Sequence, residues 1–302
     1  MVRLPTIVGE TWFNAKRLSP DDLKGKVFLV DFWTYSCLNC LRTMPHLKRW
    51  WEKYKDKTFL IIGIHTPEFE FEKDPKNVER ALREIGIGWP VVLDNEYVNW
   101  NNFANHYWPA KYLADQNGNI VYTHFGEGAY TETERVIQTL LFGTGITSLP
   151  EIDRDEHVHG GVCFVPTPET YCGYERGRLV NPDGYRKDEV FDYETPEALP
   201  PNLIALKGKF LAAPEYVESH ASGATLLLNF RATEVNLVLK PAADRAVASV
   251  ILNDTLVKDL VIEKPAMYNL LPQGDLKEGI LKVQAEEGNF QAYAFTFSGC
   301  RE

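Results

Sequence analysis

In the first half of the chain, apolar residues arrive in short solid runs separated by helical stripes. Val27-Phe28-Leu29-Val30-Asp31-Phe32-Trp33 and Phe59-Leu60-Ile61-Ile62-Gly63-Ile64 have the pattern of strands buried on both faces of a parallel sheet. Between them Leu41, Met44, Leu47, Trp51 and Tyr54 recur at helical spacing and predict a core-facing stripe. Residues 77–85 carry a second helical pattern, 90–93 a strand and 97–107 a short helix. Gln116-Asn117-Gly118-Asn119 is a turn signal that pairs Tyr112-Leu113 with Ile120-Val121-Tyr122 as a hairpin. Residues 133–142 form a last helix, stopped by Gly143 and Gly145. The predicted order is β-α-β-α-β-β-α.

The pattern then changes. Residues 146–202 are rich in Pro, Gly and charge and read as a long connection, partly ordered on one neighbour or the other. Beyond 203, strand-like runs recur at 203–206, 225–230, 234–239, 248–252, 256–262, 280–284 and 293–297, with almost no helix signal. Many short strands with turns between them predict a β-sandwich of jelly-roll type. The expected organisation is an α/β domain over 1–145, a connecting segment over 146–202 and a β-sandwich over 203–302.

The chain has 302 residues and 44% hydrophobic content, enough for two packed domains. Lys+Arg 32 against Asp+Glu 42 gives a net charge of −10, which argues against a nucleic-acid partner. No apolar run approaches the roughly 18 residues of a membrane span. The N-terminus, Met1-Val2-Arg3-Leu4-Pro5-Thr6, lacks a signal-peptide core. As written the chain reads as soluble and cytoplasmic, or as extracytoplasmic if it is cut from a longer exported or membrane-tethered protein.

The candidate chemistry sits at the end of the first apolar run. Cys37 and Cys40 form a Cys-x-x-Cys pair where a strand gives way to a helix. Unpaired N–H groups and the helix dipole there favour a thiolate, and a thiolate beside a second thiol is the apparatus of disulfide exchange. Zinc is the alternative, but a structural zinc site needs about four ligands. Cys163, Cys172 and Cys300 supply no second such pair, and His46 stands alone inside the predicted helix. Asp31 lies six residues before Cys37 inside an apolar strand, where a carboxylate is costly without a task. Pro45 falls inside the helix pattern. Pro109 follows Trp108, opens a strand, and is a candidate cis bond.

Asp31, Trp33, Cys37-x-x-Cys40, Pro45 and Pro109 together resemble the thioredoxin superfamily pattern. Longer strings are more specific. Phe32-Trp33-Thr34-Tyr35-Ser36-Cys37-Leu38-Asn39-Cys40, His65-Thr66-Pro67-Glu68-Phe69, Tyr107-Trp108-Pro109-Ala110-Lys111-Tyr112-Leu113, Phe125-Gly126-Glu127-Gly128 and Thr167-Pro168-Glu169-Thr170-Tyr171 resemble the soluble C-terminal region of DipZ-like (TlpA-like) thiol–disulfide oxidoreductases. The resemblance implies a thioredoxin-like domain with an insertion between Ile64 and Tyr107, followed by a carbohydrate-binding-module-like sandwich. It makes Cys37 the nucleophile, Cys40 the resolving cysteine and Asp31 the proton acceptor for Cys40. Trp33 would shield the site from beneath. Pro109, if cis, would turn the Trp108 backbone toward the sulfurs, where an extended partner peptide could pair with it. Trp108 is bulky where thioredoxins usually carry a small β-branched residue. Glu68, Glu127, His65 and Trp100 could rim the site or simply pack. No cofactor is implied beyond the redox-active Cys37–Cys40 disulfide, and no metal. The implied partners are protein thiols and disulfides, with an upstream electron donor such as a membrane thiol transporter or a thioredoxin-type reductant. Many DipZ-like proteins also carry a membrane-embedded electron-transfer domain, and none is expected within these 302 residues.

Two competing readings remain open at this point. Thr34 lies three before Cys37, a spacing shared with thiol peroxidases, although Val30 occupies the position where those carry a proline. The chain could also be a binding protein whose sandwich recognises a glycan or a protein. Tyr171, Tyr174, Tyr185, Phe191, Tyr193, Tyr216 and Tyr293 would then supply a stacking platform, or pack as core. Cys163 and Cys172 are close enough in sequence to bridge, or stand as two isolated thiols. Cys300 reads as a small buried residue or an incidental surface thiol.

Overall fold

The computed structural model describes residues 2–153 and 163–300. The chain divides into two compact units, Met1–Glu156 and His157–Glu302. Residues 154–162 of the expected connecting segment lie outside the described residues.

The N-terminal unit runs β1 (Val2–Arg3), β2 (Trp12–Phe13), α1 (Pro20–Leu23), β3 (Val27–Trp33), α2 (Leu38–Tyr54), β4 (Phe59–His65), a 3-10 turn (Glu70–Lys73), α3 (Pro75–Ile85), β5 (Val91–Leu93), α4 (Val98–Asn102), β6 (Ala110–Ala114), β7 (Asn119–Phe125) and α5 (Tyr130–Gly143). The sheet order is β1-β7-β6-β3-β4-β5-β2. β3, β4 and β5 are parallel, and β6 and β7 close the other side antiparallel. β3 and β4 sit at the centre and are buried throughout, which explains why both read as unbroken apolar runs.

α2 begins with Cys37 as its N-cap and carries Pro45 in its interior. Its buried face is wider than the predicted stripe. Trp50 is buried while Trp51 is only half-buried, because His46 and Trp50 pack on the Tyr130 ring of α5. α3 starts at Pro75, capped by the Asp74 carboxylate on the Lys76 amide. The helix expected over 97–107 is shorter than its pattern. α4 ends at Asn102, Ala104 takes φ +48°, and the Asn105 side chain donates to the Tyr107 carbonyl. Beyond it the Trp108–Pro109 peptide is cis, as expected from its position.

The C-terminal unit contains β8 (Thr170–Tyr171), β9 (Val190–Tyr193), β10 (Ile204–Ala212), β11 (Val217–Ser219), β12 (Thr225–Ala232), β13 (Glu234–Pro241), β14 (Ala246–Leu252), β15 (Thr255–Ile262), β16 (Ala266–Leu271), β17 (Lys277–Glu287) and β18 (Phe290–Ser298). Nine of these follow one hydrogen-bonded path, β15-β14-β17-β12-β10-β11-β18-β13-β16, with β8 on β18 and β9 on β10. Ile262 from one end of this path and Leu270 and Leu271 from the other share a single apolar core. The sheet therefore curls over itself and packs face to face, as a sandwich does. Residues 179–193 belong here: Leu179, Tyr185 and Phe191 pack against that core and Tyr193 lies in it.

The cysteines correct one expectation. Cys163 bonds to Cys300, not to Cys172, and both partners are exposed. An antiparallel bridge sets their Cα atoms 4.0 Å apart across 137 residues of sequence, so closeness along the chain was the wrong guide. Cys172 is a free, fully buried thiol inside the sandwich core.

Candidate active site

The site is built where β3 ends. After Trp33 the chain makes a short loop, Thr34-Tyr35-Ser36, and enters α2 at Cys37. The Cys40 amide, one of the N–H groups left over at a helix start, donates to Cys37 Sγ at 3.2 Å. Cys37 is half-buried and Cys40 wholly buried, and both are free thiols. The first sulfur therefore meets solvent and the second waits beneath it. Burial, and then the bond to Cys37 and its charge, hold the Cys40 thiol well above the usual cysteine range.

Asp31 lies two residues before the end of β3, flanked by Gly63 of β4 and Lys111 of β6 in register. Its carboxyl is wholly buried and neither oxygen has a hydrogen-bond partner. Burial raises it to about 7, against the pull of the Lys111 charge. Lys111 is itself fully buried. Burial pushes its ammonium down, while the charges of Asp31, Cys40 and Glu127 oppose that shift. Its Nζ donates to the Gly126 carbonyl at 3.3 Å and stands 5.7 Å from the centre of the Tyr130 ring. A lysine inside the apolar strand Ala-Lys-Tyr-Leu-Ala is as conspicuous along the chain as Asp31, but only the strand register pairs the two.

The loop before Cys37 is pinned from the insertion between β4 and β6. Glu72, in the 3-10 turn, is a second wholly buried carboxyl. Its Oε1 accepts from Ser36 Oγ at 2.6 Å and from the Ser36 amide at 3.3 Å. Its Oε2 accepts from the Glu68 and Phe69 amides at 2.6 and 3.1 Å. Burial raises Glu72 to about 7, while the Ser36 and Thr34 hydroxyls pull it down. Sequence reading missed Glu72 because Glu68-Phe69-Glu70-Phe71-Glu72-Lys73 reads as a charged surface turn. The alternating aromatics were the available sign that one face of it points inward.

The other candidate residues divide. Trp33 is wholly buried, set edge-on to His65 at 5.1 Å, so it lies beneath the site as a packing residue. His65 is also wholly buried and burial pushes it down to about 3, leaving it neutral. Its Nε2 lies 3.4 Å from the Thr34 hydroxyl. Trp108 is half-buried, donates to the Thr66 carbonyl at 3.1 Å and lies 4.2 Å from Trp100, centre to centre. Pro109 is buried, and its carbonyl accepts from the Gly126 amide at 2.8 Å. Glu127 is exposed and faces Arg42 of α2 at 3.6 Å. Glu68 is half-buried and gives its amide to Glu72. In the C-terminal unit, Tyr193 and Tyr293 are buried, which removes them from any exposed stacking platform. Among the described residues, no group of three or more His, Cys, Asp or Glu side chains is arranged to hold a metal ion. No helix among them is long and apolar enough to cross a membrane.

Comparison with known proteins follows the two units. Residues 5–123 match the AhpC/TSA family, and residues 167–298 match a family described as thioredoxin like C-terminal domain. The protein DipZ of Mycobacterium bovis is 37% identical over 304 aligned residues, covering 97% of this chain. The chain spans 42% of the length of that relative. The Bacillus subtilis thiol-disulfide oxidoreductase YkuV is 27% identical over 47% of this chain and 95% of its own length. Among solved structures, a thioredoxin-like protein in its oxidized form is 27% identical, with a TM-score of 0.43, covering 47% of this chain and 96% of its own.

Proposed function

Because the chain is a homologue of DipZ, with a thioredoxin-like AhpC/TSA-type domain and a thioredoxin-like C-terminal domain, we propose that it exchanges disulfides with protein thiols through Cys37 and Cys40. The single observation that carries this reading is the pairing of a half-buried Cys37 with a wholly buried Cys40 whose amide donates to the Cys37 sulfur. The Cys37 thiolate attacks one sulfur of a partner disulfide and forms a mixed disulfide, and the other partner sulfur leaves as a thiolate. Cys40 then gives up its proton and attacks Cys37 Sγ. The protein pair becomes a disulfide and the partner leaves as a dithiol, so two electrons have moved to the partner. An upstream thiol donor returns the pair to its reduced form.

Cys40 is the group that needs help, since its thiol is held above the usual range. Asp31, raised to about 7, takes that proton, directly or through water. A carboxyl poised there is a far better base at neutral pH than an ordinary aspartate, and Lys111 keeps its charged form accessible. Trp108 and Pro109 form the wall against which the partner peptide lies. The sandwich positions the redox unit on its substrate or surface.

The peroxidase reading needs the Thr34 hydroxyl to orient a peroxide at Cys37. That hydroxyl is wholly buried and faces His65 and Glu72, and Val30 fills the proline position. The test is trapping. With Cys40→Ser the reaction stops at the mixed disulfide, so a disulfide-bonded adduct on Cys37 should accumulate and be visible by intact mass. Cys37→Ser should give none. An adduct that forms equally on both variants would refute the roles assigned here.

A further inference from the structure

We infer that Glu72 is a positioning residue for the nucleophile: its buried carboxyl grips Ser36 and so sets the loop that delivers Cys37 to the head of α2. The inference rests on the exchange reading above and adds to it a residue outside the Cys-x-x-Cys strand and helix.

The hydrogen bonds divide by oxygen. Oε2 accepts from the Glu68 and Phe69 amides, which is the ordinary business of capping a short turn. Oε1 does something else, accepting from both the hydroxyl and the amide of Ser36, the residue before the nucleophile. A turn cap needs only the first set. The second set crosses from the insertion to the active-site loop, 36 residues away in sequence. Tyr35 adds a parallel tie, its hydroxyl donating to the Phe71 carbonyl at 3.4 Å. Two successive loop residues are thus held by two successive residues of the 3-10 turn.

The Ser36 hydroxyl and amide, the Glu68 and Phe69 amides and the Thr34 hydroxyl all donate to Glu72, and a carboxylate accepts at both oxygens. Glutamine in its place would turn an NH2 group toward N–H or O–H donors on one side. Ser36 is 2% exposed and Glu72 is wholly buried, so no water stands by to replace a lost bond.

The grip would also reach the sulfur through charge. Glu72 titrates near neutrality, and its charged form stands beside the residue before Cys37. A negative charge so near would oppose a second one on the sulfur. The titratable groups around it are few. Glu68 acts on it with a like charge, and His65 behind Thr34 is neutral. The Tyr35 hydroxyl donates to the Phe71 carbonyl. The Asp94 carboxyl is taken up by Thr66, Asn99 and Trp100, and Lys73 pairs with Glu70.

The experiment is the rate of Cys37 alkylation by iodoacetamide in the full reduced chain from pH 5 to 9, read on the Cys37 peptide by mass spectrometry. It is paired with turnover on a disulfide-bonded protein. Wild type should show an extra break near pH 7. Glu72→Gln should lose that break and turn over about tenfold more slowly, the loss expected when a reacting atom is held less well. Ser36→Ala removes one donor to the carboxylate and should move the break to higher pH. If Glu72→Gln does not fold, Ser36→Ala carries the test by itself: a displaced break supports the inference and an unmoved one overturns it. A wild-type profile with no break near neutrality overturns it as well. A wild type that forms no reversible Cys37–Cys40 disulfide would sink the exchange reading. Normal exchange with unmoved profiles in both variants would remove Glu72 alone.

Discussion

Two buried polar side chains, one in each unit, are treated in opposite ways. In the C-terminal unit Asn181 is 5% exposed, yet its amide group donates to the Glu194 and Leu206 carbonyls and its oxygen accepts from the Leu206 amide. Ser219 and Thr233 are treated likewise, donating to or accepting from the backbone. In the N-terminal unit the Asp31 carboxyl is wholly buried with no hydrogen-bond partner at all, one strand away from a buried lysine. Asn181 lowers the free energy of the fold. Asp31 raises it at neutral pH, because a buried carboxyl without donors must stay protonated or carry an unsolvated charge. Such a group persists where chemistry uses it. The difference separates a buried group arranged for stability from one whose cost is explained by the proposed chemistry.

Four variants break or sharpen this contrast, the largest effect first. Cys37→Ser should take disulfide exchange to background while leaving the thermal unfolding of both units in place; measurable turnover on a protein disulfide would contradict the site. Next, Cys163→Ser with Cys300→Ser should destabilise the C-terminal unit by roughly 2–4 kcal/mol, since the bridge closes a long loop of the unfolded chain. Exchange at Cys37 should not change, and denaturant unfolding under oxidising conditions reads the loss. Asn181→Ala should cost that unit roughly 2–3 kcal/mol, because the Leu206 amide and two carbonyls lose their partner in a dry core. A loss confined to a few tenths would mean that water reaches this position.

The smallest net effect, and the most specific, belongs to Asp31. Its folded-state value of about 7 lies above the unfolded value near 3.8, so it favours the fold fully below pH 4. That contribution is lost as pH rises through about 7. Glu72, also raised to about 7, acts in the same direction. Wild-type stability should therefore fall between about pH 4 and 7 on account of these groups. Asp31→Asn should flatten part of that fall and gain on the order of 1–2 kcal/mol at pH 8, the gain being limited by leaving Lys111 without its counter-charge. Urea unfolding at pH 5 and pH 8 measures it, and equal pH dependence in variant and wild type would show that Asp31 is ionised without penalty.

The parts of the site written along one stretch of chain were legible in the sequence. Cys37, Cys40, Asp31 and the strand-to-helix turn are contiguous, and periodicity placed β3, β4 and α2. Pro109 was legible because a proline that opens a strand has few conformations open to it. What escaped is what the fold brings together from a distance. Lys111 matters through its register with Asp31, a relation between strands that no local pattern encodes. Glu72 sits in a turn whose alternating charges look solvated until the insertion folds back on the active-site loop. The Cys163–Cys300 bridge ties the segment before β8 to the residue just after β18, and nearness in sequence offered only Cys172 as a partner, or none. β16 also went unread: Ala-Met-Tyr-Asn-Leu-Leu has no alternation, and pairing with β13 makes it a strand.

The central claim is that Cys37 and Cys40 form one reversible redox couple. Equilibrating the full chain against glutathione buffers of graded ratio, and following the Cys37–Cys40 disulfide by differential alkylation, tests it directly. A single two-electron transition that returns on reversal, and that Cys40→Ser abolishes, is the predicted result. A pair that stays reduced or oxidised across the whole range, or a transition that survives Cys40→Ser, would contradict it.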